Sequence, residues 1–125
     1  MPKFFICYRR EDSEYPAQWI SQELISQYGP DSVVFDVDTI PPGADYRGYL
    51  RNQVGKCDAL LAIIGDRWLE ILRDRSEDPN DFVRIEILAA MEKQIPVVPV
   101  LVGRAQVPSE DELPSELGQR SEERL

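Results

Sequence analysis

One absence limits the chemistry open to this chain: none of its 125 residues is histidine. That removes the serine–histidine and cysteine–histidine nucleophile arrangements and the imidazole zinc sites. Carboxylates, hydroxyls, thiols, lysine and arginine remain. Among them Glu86 stands apart. On a helix its neighbours one turn away are Phe82, Val83, Ala89 and Ala90, with no Lys or Arg at i+3 or i+4 to pair with it. Such a carboxylate is either a functional group set into an apolar stripe or an exposed glutamate at its margin, and the pattern alone leaves both open. Arg9 and Arg10 follow an apolar segment. Guanidinium groups there suit a pyrophosphate, or make surface ion pairs with Glu11, Asp12 or Asp36.

Two further sets of residues are weighed and set aside. Asp36 and Asp38 raise the idea of a phosphoacceptor aspartate. That chemistry needs an acidic pair after the first strand, a phosphoacceptor after the third and a lysine after a fifth. Here the first strand ends in arginines and the third in Gly65-Asp66, so Asp36 reads as a loop anchor for backbone amides. No glycine-rich phosphate loop is present, and Gly43 alone is no signal of one. Cys7 and Cys57 are too few for a structural zinc site and are expected to be reduced, buried and concerned with packing. No metal or cofactor is expected.

The elements that must position these residues alternate between strand and helix. Residues 3–8 are short, apolar and bounded by charge, as a buried strand is. Ser13 caps a helix to Tyr28, with Pro16 in its first turn and Trp19, Ile20, Leu24 and Tyr28 at helical spacing. Gly29-Pro30 stops it. A second strand is predicted over 32–36, and residues 37–43 form a loop because two prolines lack amide donors. A helix over 44–56 carries Tyr46, Leu50 and Val54. Residues 58–65 hold a third strand without alternation, suited to a central parallel strand covered on both faces. A short helix at 67–72 and a polar loop at 73–79 follow, and Asn80 caps a helix over 81–93. The last strand, 95–102, contains Pro96 and Pro99, which favour an edge. The reading is an open, flavodoxin-like parallel α/β sheet flanked by helices. If its first strand lies between the second and third, a ligand crevice opens beyond the carboxyl ends of strands one and three.

Composition narrows the partners. A net charge of −9 argues against nucleic acid, which is bound by neutralising phosphates. Part of that charge is local, since residues 108–125 hold six acids against two arginines. The longest apolar run, Ala59–Ile64, is far too short for a membrane span. The N-terminus reads as lacking a cleavable signal, so a cytoplasmic location and no membrane partner are expected.

The motifs, taken in order, resemble Toll/interleukin-1 receptor (TIR) domains of the bacterial type. Phe5-Ile6-Cys7-Tyr8-Arg9-Arg10-Glu11-Asp12 is similar to the family's first box. Val34-Phe35-Asp36-Val37-Asp38 with Ile40-Pro41-Pro42-Gly43 resembles its second strand and following BB loop. Cys57-Asp58-Ala59-Leu60-Leu61 resembles the third strand and its lead-in, and Ile95-Pro96-Val97-Val98-Pro99-Val100 the fourth. Asp81-Phe82-Val83-Arg84-Ile85-Glu86-Ile87 resembles the helix with an aromatic residue four before a glutamate. The match runs from residue 3 to about 117. It departs from the pattern at Cys7, where serine is common, and at Phe82, where tryptophan is. The chain also ends near where a last strand and helix would form, so 1–125 is expected to be a single TIR domain from a longer multidomain protein.

The resemblance implies an NAD+ glycohydrolase or cyclase that cleaves the nicotinamide–ribose bond, serving bacterial antiviral defence or signalling. NAD+ would be its substrate. Glu86 would be catalytic, Arg9 or Arg10 would face the phosphates, and Tyr8 and Phe82 would pack a base or the nicotinamide. Activity would depend on self-association through the loop holding Asp38, Ile40, Pro41, Pro42 and Gly43, under a fused or separate sensor module. The alternative is a non-enzymatic TIR–TIR scaffold that uses the same loop. In either case Ile40→Asp is expected to weaken self-association by about tenfold or more. It removes roughly 1.5–3 kcal/mol of apolar burial and adds a charge to be desolvated. Sedimentation of both proteins at high concentration checks this, and equal association would place the interface elsewhere.

Overall fold

A strand with no polar position must be covered on both faces, and Ala59–Ile64 is such a strand. The computed structural model describes residues 2–34, 46–75 and 81–108, with the backbone alone for Tyr46, Arg47 and Phe82. Its elements are β1 (Phe4–Cys7), α1 (Arg10–Tyr28), a 3₁₀ turn (Pro30–Ser32), β2 (Val33–Val34) and α2 (Tyr46–Gly55). β3 (Ala59–Ile64), α3 (Trp68–Asp74), α4 (Phe82–Glu92) and β4 (Val97–Leu101) follow. The described strands form one sheet, ordered β2-β1-β3-β4, with every pair parallel. β1 pairs with β2 from Phe4 opposite Val33, and with β3 as far as Cys7 opposite Ala62. The first strand thus lies between the second and third. The order reverses between β1 and β3, where open α/β sheets place their ligands.

Alternation sorts the two faces. Phe5, Cys7, Leu60, Ala62 and Ile64 join one core with Leu50 and Val54 of α2, Trp68 and Leu72 of α3, and Val83, Ile87 and Ala90 of α4. Ile6 and Ile63 turn to the other face, where Ala17 of α1 meets them and Ile20 and Leu24 pack at the side. β3 is therefore apolar throughout because each face has its own helical layer.

Of the residues at helical spacing on α1, Ile20 and Leu24 pack against the sheet and Trp19 does not. Ser13, Ala17 and Ser21 are the helix's buried residues, while Trp19 is 66% exposed. Trp19 stands two residues from both Ala17 and Ser21, roughly 200° around the helix from each, so the face that turns them inward turns it outward. Small side chains let α1 lie close to the sheet. The helix also begins earlier than expected, at Arg10, and is broken at Ser13 (φ −146°, ψ 31°), whose hydroxyl reaches the Ile63 carbonyl at 3.5 Å. Gly29, at φ 105°, ends it and donates its N–H to the Ile25 carbonyl. At the far side Pro99 of β4 sits opposite Ala62, and β4 is one of the two edges among the described strands. A missing amide does no harm on an open side.

The loops at the carboxyl ends are tied by side-chain carboxylates. Asp12 accepts the amides of Gly65 (2.8 Å) and Arg67 (2.7 Å), and Asp66 accepts that of Arg104 (2.8 Å). Gly65 must lack a side chain, because a Cβ there would stand 2.6 Å from an Asp12 carboxylate oxygen. Gly65→Ala is expected to cost about 1.5–3 kcal/mol, the worth of hydrogen bonds to a charged group. In an Asp12→Ala background it should cost much less. Urea denaturation of the four proteins checks this, and equal costs in both backgrounds would show that the carboxylate is not the obstacle.

Candidate functional site

The alternation that turns Phe5 and Cys7 toward α4 continues past the end of β1 to Arg9, whose backbone is still extended (φ −100°, ψ 125°). Its side chain is buried and meets Asp81 in a two-pronged pair. One terminal nitrogen donates to Oδ1 at 2.8 Å and the other to Oδ2 at 2.9 Å, each side chain 1% exposed. The guanidinium also lies over the Trp68 ring, 6.0 Å from its centroid. Two buried charges are tolerable because the fork matches the carboxylate geometrically. Taking one away would strand the other, at about 3–5 kcal/mol.

Asp81 is also the residue from which α4 starts. Its carbonyl accepts the Ile85 amide at 3.1 Å, yet its side chain makes no cap hydrogen bond, because the carboxylate is committed to Arg9. The helix therefore begins one residue later than predicted, with Asp81 rather than Asn80 at its cap. Glu86 follows in its second turn and is buried, 7% exposed, which removes the reading of an exposed glutamate. Its carboxylate lies beside the Cys7 thiol, whose hydrogen bond runs to the Val83 carbonyl at 3.8 Å. Burial pushes the Cys7 thiol well above its ordinary 9.0, and the Glu86 charge adds to the rise, while Arg9 pulls the other way. Cys7 is thus a neutral thiol beside the Glu86 carboxylate. Two buried donors, Nε of Arg9 and Nε1 of Trp68, have no partner among the described residues.

The structure thus gathers Cys7, Arg9, Asp81, Glu86 and Trp68 at the carboxyl end of β1. A buried carboxylate can stabilise positive charge developing on a bound molecule. Arg10 lies at the exposed first residue of α1. Tyr8 is not brought to Glu86. It turns to the opposite face and packs with Ile6, Ala17 and Ile63, as strand alternation requires. The Phe82 side chain and the loop residues Asp36, Asp38, Ile40, Pro41, Pro42 and Gly43 lie outside the described residues. Asp81 and Trp68 were given no role from sequence. Arg9 and Asp81 are 72 positions apart, and no local pattern links them. Among the described residues no group of three or more His, Cys, Asp or Glu is placed to hold a metal ion. No described helix is long and apolar enough to cross a membrane.

Comparison with known proteins gives a family and a fold. The family model described as TIR domain matches residues 4–122. No match was found among curated proteins. Among solved structures, the chain is similar to the TIR domains of the activated Roq1 resistosome directly recognizing the pathogen effector XopQ. The TM-score is 0.64 at 13% identity, over 98% of this chain and 70% of that one. At that identity the likeness is one of fold.

The thiols offer a test of the packing. Unfolded, both ionise near 9.0; folded, burial raises Cys57 to about 11 and Cys7 well above its ordinary value. The contribution of Cys57 to stability is therefore complete below pH 9 and lost as pH climbs toward 11, and that of Cys7 likewise falls as pH rises above 9. The denaturation midpoint should fall across that range, and fall less in Cys57→Ser. Both thiols should titrate as free after denaturation without reductant. An equal fall in the variant, or missing thiols, would contradict the arrangement.

Proposed function

The chain belongs to the TIR domain family, and on that premise we propose that it cleaves NAD+ at the nicotinamide–ribose bond, with Glu86 as the catalytic carboxylate. The observation that carries the reading is the burial of Glu86, 7% exposed, where α4 meets the carboxyl end of β1. Breaking the C1′–N bond sends the electron pair out with neutral nicotinamide and leaves positive charge on the ribose, as in glycoside cleavage. A carboxylate held in a dry, preorganised setting stabilises that charge as it forms and can take hydrogen bonds from the ribose hydroxyls. Capture of the ribosyl cation by water releases a proton and gives ADP-ribose; capture by the adenine base gives a cyclic product.

Phosphate binding falls to Arg10 in this reading, because both terminal nitrogens of Arg9 are engaged by Asp81. Phe82, at the first residue of α4, shapes the pocket for the base or nicotinamide. Activity depends on self-association through the loop at residues 38–43, which supplies one subunit's contact to another's site. The similar TIR domains belong to a resistosome, and that supports assembly as the active condition. The domain serves as the effector part of a longer bacterial defence or signalling protein in the cytoplasm, triggered by a sensor module.

Glu86→Gln keeps the shape of the side chain and a neutral amide is no harder to bury, so the fold should persist. Removing one preorganised electrostatic group should cut nicotinamide release by about 10²–10³-fold. The assay compares assembled wild type and variant at saturating NAD+, with circular dichroism as the folding control. A folded, assembled variant releasing nicotinamide at near the wild-type rate would make Glu86 structural. An assembled wild type that never releases it would leave the interaction scaffold as the function.

A further inference from the structure

Aspartate is among the best helix N-caps, since its carboxylate accepts orphan amides of the first turn, worth about a tenfold equilibrium factor. Asp81 occupies that position and forgoes the bond, spending both oxygens on Arg9 instead. That choice ties the start of α4 to the chain just beyond β1. Two further ties follow along the same helix. The Val83 carbonyl accepts from the Cys7 thiol at 3.8 Å, and the Glu86 carboxylate lies beside the same thiol. Positions 81, 83 and 86 of the helix thus meet positions 7 and 9 of the strand segment. The thiol contacts are weak, and the two-pronged pair is the strong one.

We propose that Asp81 is a positioning residue, which through its pair with Arg9 holds the first turn of α4 against the end of β1 and thereby places the Glu86 carboxylate. The kinetic part of this proposal rests on the reading of Glu86 as catalytic; the structural part does not. Glu86 lies five residues beyond Asp81, roughly 7.5 Å along the axis. A tilt of about 10° at the first turn would move its carboxylate by about 1 Å, and a displacement of that size can cost about 10²-fold in rate. The pair acts on the rate through geometry and touches no substrate.

The test is Asp81→Asn, which keeps the shape and one acceptor but breaks the fork. It is made in a Cys57→Ser background, so that Cys7 is the sole thiol. Cys7 is fully buried beneath the first turn of α4, and its native-state labelling by a small alkylating reagent reports opening of that turn. Labelling should accelerate about 10- to 100-fold, the effect of losing a charge-assisted hydrogen bond, while the global denaturation transition stays cooperative. The assembled protein should lose kcat by a similar factor, with KM within about twofold. Unchanged labelling in folded Asp81→Asn overturns the proposal, and so does a rise in KM at constant kcat, which would mean that the pair serves substrate binding. A wild type silent toward NAD+ defeats the catalytic reading alone, since labelling still decides whether the pair holds α4. Should Asp81→Asn not fold, Arg9→Lys keeps the buried cation while removing the fork, and carries both readouts with the same supporting and overturning results.

Discussion

Arg9 and Asp81 each give up hydration to meet in the interior, and the meeting decides where two elements stand. One partner lies just past β1 and the other at the first turn of α4. The pair therefore fixes a strand end to a helix start across 72 positions of chain. A buried ion pair is weak support for stability, because desolvation offsets most of the attraction. Its effect is on specificity: a fork of two bonds at 2.8 and 2.9 Å admits one orientation of carboxylate and guanidinium. The neighbouring side chains fall into place around it. Trp68 lies under the guanidinium, Cys7 is enclosed between strand and helix, and Glu86 arrives beside the thiol.

That arrangement brings a buried carboxylate beside the end of β1. Phe82, Val83, Ala89 and Ala90 surround Glu86 one turn away along its helix, and β1 brings the Cys7 thiol next to it. Arg9 and Asp81 stand at the same strand end, and the thiol is one that burial holds neutral. Such a site is low in dielectric and fixed in geometry, the conditions under which a single carboxylate counts most toward a cationic transition state.

Much of the fold was legible because it rests on patterns that the sequence displays locally. β3 has no polar position, so it had to be central and doubly covered. Pro96 and Pro99 pointed to an edge, and β4 is one of the two edges of the described sheet. Gly29 marked the end of α1. Trp19 misled, because helical spacing with Ile20 and Leu24 does not by itself say which residues face the sheet. The sheet instead accepts the small Ala17 and Ser21, and a large side chain on the same helix is carried outward. Within the site, the apolar neighbours of Glu86 marked it as a candidate, though they left its burial open. Asp81 could not, since an aspartate before a helix is ordinarily a cap and its real partner lies in another part of the chain. Nor could Arg9's burial, because an arginine following a strand is as well suited to the surface. Long-range pairing of charges leaves no periodic trace.

In the proposed reading this buried carboxylate breaks the nicotinamide–ribose bond of NAD+ once the domain assembles. Nicotinamide release by the wild-type protein across a range of protein concentrations, with the assembly state followed in the same samples, decides it. Nicotinamide is expected as a product, with a specific activity that rises with the assembled fraction. Assembled protein that leaves NAD+ intact would contradict it.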